Sequence, residues 1–196
     1  MRDPVAALPD FEIVTDGAAS ALARATGCTT FRETARQVWN LPYGRNSNRA
    51  DPLLVLTEGR GTCSTKHAYL AALAREAGVP LELVLGIYMM SEANTPGVGP
   101  VLDRHSLEAI PEAHCYLRVD GERIDLTHPP DALPGEPIDT FLHEEPVEPH
   151  QVGDYKQRFH RDYMGRWLQE PGAPPLTPDD AWAIREACIA ALGEAA

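Results

Sequence analysis

The pair Asp120-Gly121 constrains this chain more than any other feature of its sequence. Two residues of this type between alternating apolar segments make a tight hairpin turn, because their backbone twist matches that of the flanking strands. Residues 113–119 and 122–127 are therefore expected to pair antiparallel, with Val119 opposite Glu122. Extending that register sets Tyr116 opposite Asp125. Paired residues share a face and alternate residues along a strand return to it, so His114 joins Tyr116 and Asp125. Cys115, Leu117, Val119, Ile124 and Leu126 form the opposite, apolar face, which needs a partner to cover it.

Helical patterns lie on both sides of this hairpin. Residues 15–25 read as a short helix closed by Gly27, and residues 30–40 as a second, opened by Thr30 and Glu33 at capping-box spacing. Residues 41–48 are a loop by composition, and Asp51-Pro52 introduces a brief helix through Leu56. The strongest helical pattern follows Gly59-Arg60-Gly61-Thr62-Cys63-Ser64: Leu70, Leu73, Ala74 and Ala77 recur at i, i+3, i+4 and i+7 until Gly78 and Pro80 stop it. Residues 81–90 read as an apolar strand, 91–108 as a loop and 129–149 as irregular cover. Two C-terminal helices are expected over about 154–169 and 178–192, the second capped by Thr177. Helices, then strands, then helices predict an α+β fold with an antiparallel sheet, as one domain spanning 1–196 with its core at about 30–128.

Charge narrows the function classes. With 29 acidic and 17 basic residues, the chain carries a formal net charge of −12, which disfavours nucleic acid and anionic membrane surfaces as partners. No stretch has the roughly 18 apolar residues that span a bilayer. The start, Met-Arg-Asp-Pro-Val, lacks the apolar run of a secretory signal. Cys28, Cys63, Cys115 and Cys188 have no spacing typical of a disulfide framework. Together these predict a cytoplasmic protein with reduced thiols.

Cys63 opens the strongest helix directly after a glycine turn. The free N–H groups and dipole of a first helical turn favour thiolate over thiol, and the same N–H groups suit the oxyanion of a tetrahedral intermediate. Gly59 and Gly61 leave room for a substrate backbone to approach. The ordinary alternative is a small buried cysteine filling a helix–turn contact. His114 and Asp125 on one strand face supply what a cysteine nucleophile needs, one group to move the proton and one to orient the imidazole. Each taken alone also has an ordinary reading, as a hydrogen-bonded histidine and a solvated strand carboxylate.

Three segments together resemble the transglutaminase-like superfamily. Gly61-Thr62-Cys63-Ser64-Thr65-Lys66-His67-Ala68-Tyr69-Leu70-Ala71-Ala72-Leu73, followed by Ala77-Gly78-Val79-Pro80, is similar to its nucleophile helix and the step into the next strand. Ala113-His114-Cys115-Tyr116-Leu117 and Gly121-Glu122-Arg123-Ile124-Asp125-Leu126-Thr127 are similar to its histidine and aspartate strands. The resemblance covers about residues 38–128. It implies a papain-like core and a Cys63–His114–Asp125 triad, with no metal and no cofactor in the chemistry. Tyr116 departs from the tryptophan that many members carry two residues after the histidine, and the hairpin is short.

The implied activity is attack on an amide or peptide carbonyl through a thioester, resolved by water in a protease or amidase. The alternatives are an amine acyltransferase and a non-catalytic, peptide-binding member of the fold. The expected partner is a peptide or protein substrate, or a small amide. In the family, residues upstream of the nucleophile often line the cleft, which makes Trp39, Tyr43, Arg45, Asn46 and Asn48 candidates there, alongside Tyr116. Trp39 or an asparagine would serve as a side-chain oxyanion donor, whereas Arg45 would equally serve as a loop anchor paired with an acid. His67, four residues from Cys63, has spacing that also suits a metal pair, but the two further ligands such a site needs are lacking at credible spacing, since Cys115 beside His114 points to the other strand face. His143, Glu144, Glu145 and His150 read as a solvated loop. Phe159, Tyr163, Trp167 and Trp182 read as packing on the C-terminal helices.

Overall fold

Four strands hydrogen-bond in the order β3-β2-β1-β4 in a computed structural model that describes residues 3–130, 135–138 and 140–194. The strands are β1 (Glu82–Met90), β2 (Ile110–Val119), β3 (Glu122–Ile124) and β4 (His143–Val147). With seven α-helices among the described residues, the chain is α+β with an antiparallel sheet, as its sequence predicts. The expected hairpin register is present: Val119 pairs with Glu122, Arg118 with Arg123 and Leu117 with Ile124. Asp120 and Gly121 both take positive φ, 50° and 82°, as a two-residue turn of this hand requires.

The described residues fall into two compact units, each assembled from separate stretches of chain. The first draws on Met1–Leu85, Cys115–Asp131 and Glu145–Gly153. It contains α1 (Ala18–Ala25), α2 (Phe31–Asn40), α3 (Leu54–Glu58) and α4 (Cys63–Glu76). α2 starts where Thr30 and Glu33 cap each other: the Glu33 amide donates to Thr30 Oγ1 at 3.3 Å and the Thr30 amide to Glu33 Oε2 at 3.1 Å. α4 is buried along most of its length, with Leu70, Leu73 and Ala74 inside as its periodicity predicts, and Tyr69 and Ala68 inside as well. At its far end Glu76 accepts the Ala19 and Ser20 amides at 2.9 and 2.8 Å, a carboxylate set against the opening turn of α1.

The second unit draws on Gly86–His114, Ala132–Glu144 and Asp154–Ala196. α5 (Gly99–Asp103), α6 (Asp154–Trp167) and α7 (Pro178–Glu194) pack around Met90, Val101, Leu102, Ile110, Met164 and Ile184. Trp182 belongs to this core and Trp167 packs against it, so both serve as packing. Buried Arg185 grips buried Glu112 through two bonds of 2.6 and 2.5 Å. Burial pushes the Glu112 carboxyl up, but Arg185, His160 and Lys156 together outweigh it and hold the group at about 2.

The structure corrects three expectations. Residues 91–108 are not all loop, since they contain α5; five residues are too few for periodicity to register. Residues 129–149 are not all irregular, because β4 pairs at the sheet edge, where Pro146 is tolerated. Residues 131–134 and 139 of that stretch lie outside the described residues. β3 ends at Ile124, not Thr127, because side chains of α4 take over the backbone groups of Leu126 and Thr127, as described next.

Candidate active site

Cys63 is the first residue of α4 and is buried, with 7% of its surface exposed. The turn that delivers it is held by a chain of hydrogen bonds. Thr65 Oγ1 accepts from the Thr62 amide at 3.1 Å and donates to Asn46 Oδ1 at 2.7 Å. The Asn46 amide group in turn donates to the Arg60 carbonyl at 2.9 Å and to Glu58 Oε2 at 3.1 Å. Gly61 is pinned in the backbone, donating to Pro42 O and accepting from Gly44 N, each at 3.2 Å. A Cβ at Gly61 would lie 2.9 Å from Lys66 Cγ, so its bareness serves packing within the chain, where the sequence suggested room for a substrate.

One turn into α4, the fully buried Lys66 and His67 reach the segment that follows β3. His67 Nδ1 is 2.7 Å from the Cys63 carbonyl, which can only accept, so this nitrogen carries the proton. His67 Nε2 accepts the Leu126 amide at 2.8 Å, which requires the same tautomer. Lys66 Nζ donates to the carbonyls of Thr127 at 2.8 Å and Leu41 at 2.6 Å. Burial lowers its pKa from 10.5 to about 8, against the raising pull of the Asp125 carboxylate.

Asp125 lies between these anchors with its side chain 37% exposed. Its Oδ1 accepts the Thr127 amide at 2.9 Å and the Thr127 hydroxyl at 2.5 Å, a local turn that ends the strand pairing. His67 Nε2 is 3.7 Å from the same oxygen. The first unit therefore brings Cys63, His67, Lys66 and Asp125 together.

His114 belongs to the second unit and is buried on β2. The Tyr88 ring meets its imidazole edge-on, with centroids 5.9 Å apart, and the Phe141 ring stacks at 6.3 Å. Tyr88 is itself held by a 3.0 Å hydrogen bond between its hydroxyl and Thr95 Oγ1.

Trp39, Tyr43, Asn46, Asn48 and Tyr116 have evident local partners. Trp39 Nε1 donates to the His128 carbonyl at 2.8 Å, and Tyr43 stacks on the His128 ring at 5.2 Å. Asn46 is the buried clamp of the nucleophile turn already described. Asn48 is exposed and its Oδ1 accepts the Ala50 amide at 3.0 Å; Arg45 is also exposed. Tyr116 is fully buried, its hydroxyl accepting from Arg118 at 2.9 Å while the Arg123 guanidinium sits 5.0 Å from the ring centroid. None of the four cysteines is in a disulfide. Among the described residues no three His, Cys, Asp or Glu side chains gather as metal ligands, and no helix is long and apolar enough to cross a membrane. Lys66 and His67 are noted in the sequence only as neighbours of Cys63 on its helix, and their backbone partners across the unit were not foreseen. The available signal was position: both lie within one turn of Cys63.

A family model described as "Transglutaminase-like superfamily" matches residues 14–120, a span that includes Cys63 and His114 and stops short of Asp125. No curated protein and no solved structure matches the chain.

Proposed function

The chain belongs to the transglutaminase-like superfamily, a family of cysteine-dependent enzymes in general, and from that premise we propose that it hydrolyses amide or peptide bonds through Cys63, His114 and Asp125. The Cys63 thiolate attacks the carbonyl carbon, forming a C–S bond and an oxyanion held by N–H groups of the first turn of α4. Protonated His114 gives its proton to the departing nitrogen as the C–N bond breaks, leaving a thioester. Water then attacks the thioester carbon, losing a proton to His114, and the acid product leaves as the C–S bond breaks and the thiolate is restored beside protonated His114. Asp125 orients the imidazole throughout.

One observation carries this reading. The first turn of α4, which bears the sulfur, is hydrogen-bonded through His67 to the residue next to Asp125. A cysteine that merely filled space would not require that connection. Four cysteines outside any disulfide and a net charge of −12 fit a reducing, cytoplasmic setting and a peptide or protein substrate better than a nucleic acid.

Intact-mass analysis after exposure to a peptide-amide library tests the proposal. Wild type is expected to gain acyl adducts that Cys63→Ala does not, and to release acids even when a primary amine is supplied. Amine incorporation into the product would establish the acyltransferase instead. Identical masses for the two proteins would favour a peptide-binding member of the fold.

A further inference from the structure

We infer that His67 is a positioning residue that sets where Asp125 stands relative to the nucleophile, by tying the Cys63 turn to the aspartate segment through one neutral imidazole. The inference rests on the proposed roles of Cys63 and Asp125. Its own ground is geometric. The Cys63 carbonyl accepts from Nδ1 at 2.7 Å, and the Leu126 amide donates to Nε2 at 2.8 Å. Both bonds call for the same Nδ1–H tautomer, so neither can be kept if the proton moves to Nε2. The ring is fully buried, which makes leaving either backbone group unpaired expensive and fixes the arrangement.

The consequence falls on Asp125. Leu126 is its immediate neighbour, and the bond to His67 replaces the strand pairing that would otherwise hold this backbone. Lys66, the next residue along α4, takes the Thr127 carbonyl at 2.8 Å, and Thr127 in turn orients the Asp125 carboxylate. Asp125 is thus set by the helix that carries Cys63. Asp125 lies 3.7 Å from Nε2, and the Lys66 ammonium, on the residue before His67, interacts with the same carboxylate. A protonated His67 would turn a donor on the Leu126 amide and break the link, so the account needs a neutral ring.

Two isosteric variants separate the two bonds. The amide of His67→Asn overlays Nδ1 and keeps the bond to Cys63, whereas that of His67→Gln reaches the Nε2 position and keeps the bond to Leu126. The readout is the pH midpoint of Cys63 alkylation by iodoacetamide, alongside thermal melting. His67→Asn is expected to raise the midpoint by roughly one unit, a tenfold change in thiolate stability. His67→Gln is expected to restore most of the wild-type value, and Asp125→Asn to add little to His67→Asn. A low wild-type midpoint that His67→Asn leaves in place, whatever its melting point, overturns this inference alone. An ordinary thiol titration in wild type overturns the nucleophile reading and this inference with it. Imidazole nitrogen NMR of the wild-type protein needs no variant to fold: the Nδ1–H tautomer at His67 supports the link, and the Nε2–H tautomer contradicts it.

Discussion

Lys66 places a cation where water cannot reach it, among the Leu41 and Thr127 carbonyls. Burial, opposed by Asp125, brings its pKa from 10.5 to about 8. A lysine with a lowered folded-state pKa binds fewer protons folded than unfolded between those values, so its contribution to stability grows as pH rises through that window. Wild type should therefore gain stability relative to Lys66→Met from about pH 8 to 10.5, on the order of 3 kcal/mol at about 1.4 kcal/mol per pKa unit. Urea midpoints of both proteins across that range measure it; parallel curves would contradict it. At this scale the sequence was only half legible. Cys63 at a glycine turn and Asp125 on the hairpin stand out in the sequence as candidates, because each is marked by local chemistry. The anchoring by Lys66 and His67 could not be read, because their partners are backbone atoms some 60 residues away, which no side-chain spacing reports.

Among the elements, β1 and the segment before β4 meet at a glycine. A Cβ on Gly86 would lie 2.3 Å from Phe141 Cδ1, so an alanine there must displace the ring that stacks on His114. Gly86→Ala is expected to lose roughly 1–3 kcal/mol of stability by overpacking. Part of that loss should be recovered in the background of Phe141→Ala, a coupling that thermal melts of the two singles and the double reveal. Additive losses would mean that Phe141 does not occupy this place. The hairpin, α2 and α4 were legible because turn chemistry, capping and periodicity are local signals. β4 was not: His-Glu-Glu-Pro-Val lacks alternation and carries a proline, and only pairing at a sheet edge makes it a strand. Likewise β2 begins at Ile110, before the expected start at 113, because residues 110–117 are buried throughout and show no alternation.

For the molecule as a whole, the order of helices and strands was enough to predict an α+β fold, and the superfamily follows from the match over 14–120. The two compact units were not legible. Each gathers stretches far apart in the chain, and composition does not change at the points where the chain passes from one to the other. The activity proposed above depends on one state of one atom, the Cys63 sulfur as a thiolate near neutral pH. Ultraviolet titration of the thiolate, taken as the difference between wild type and Cys63→Ala and repeated in His114→Asn, addresses it most directly. The account predicts a wild-type midpoint well below the ordinary thiol value of about 8.5, moving back toward it in His114→Asn. A Cys63 that titrates as an ordinary thiol, unmoved by the change at His114, would contradict it.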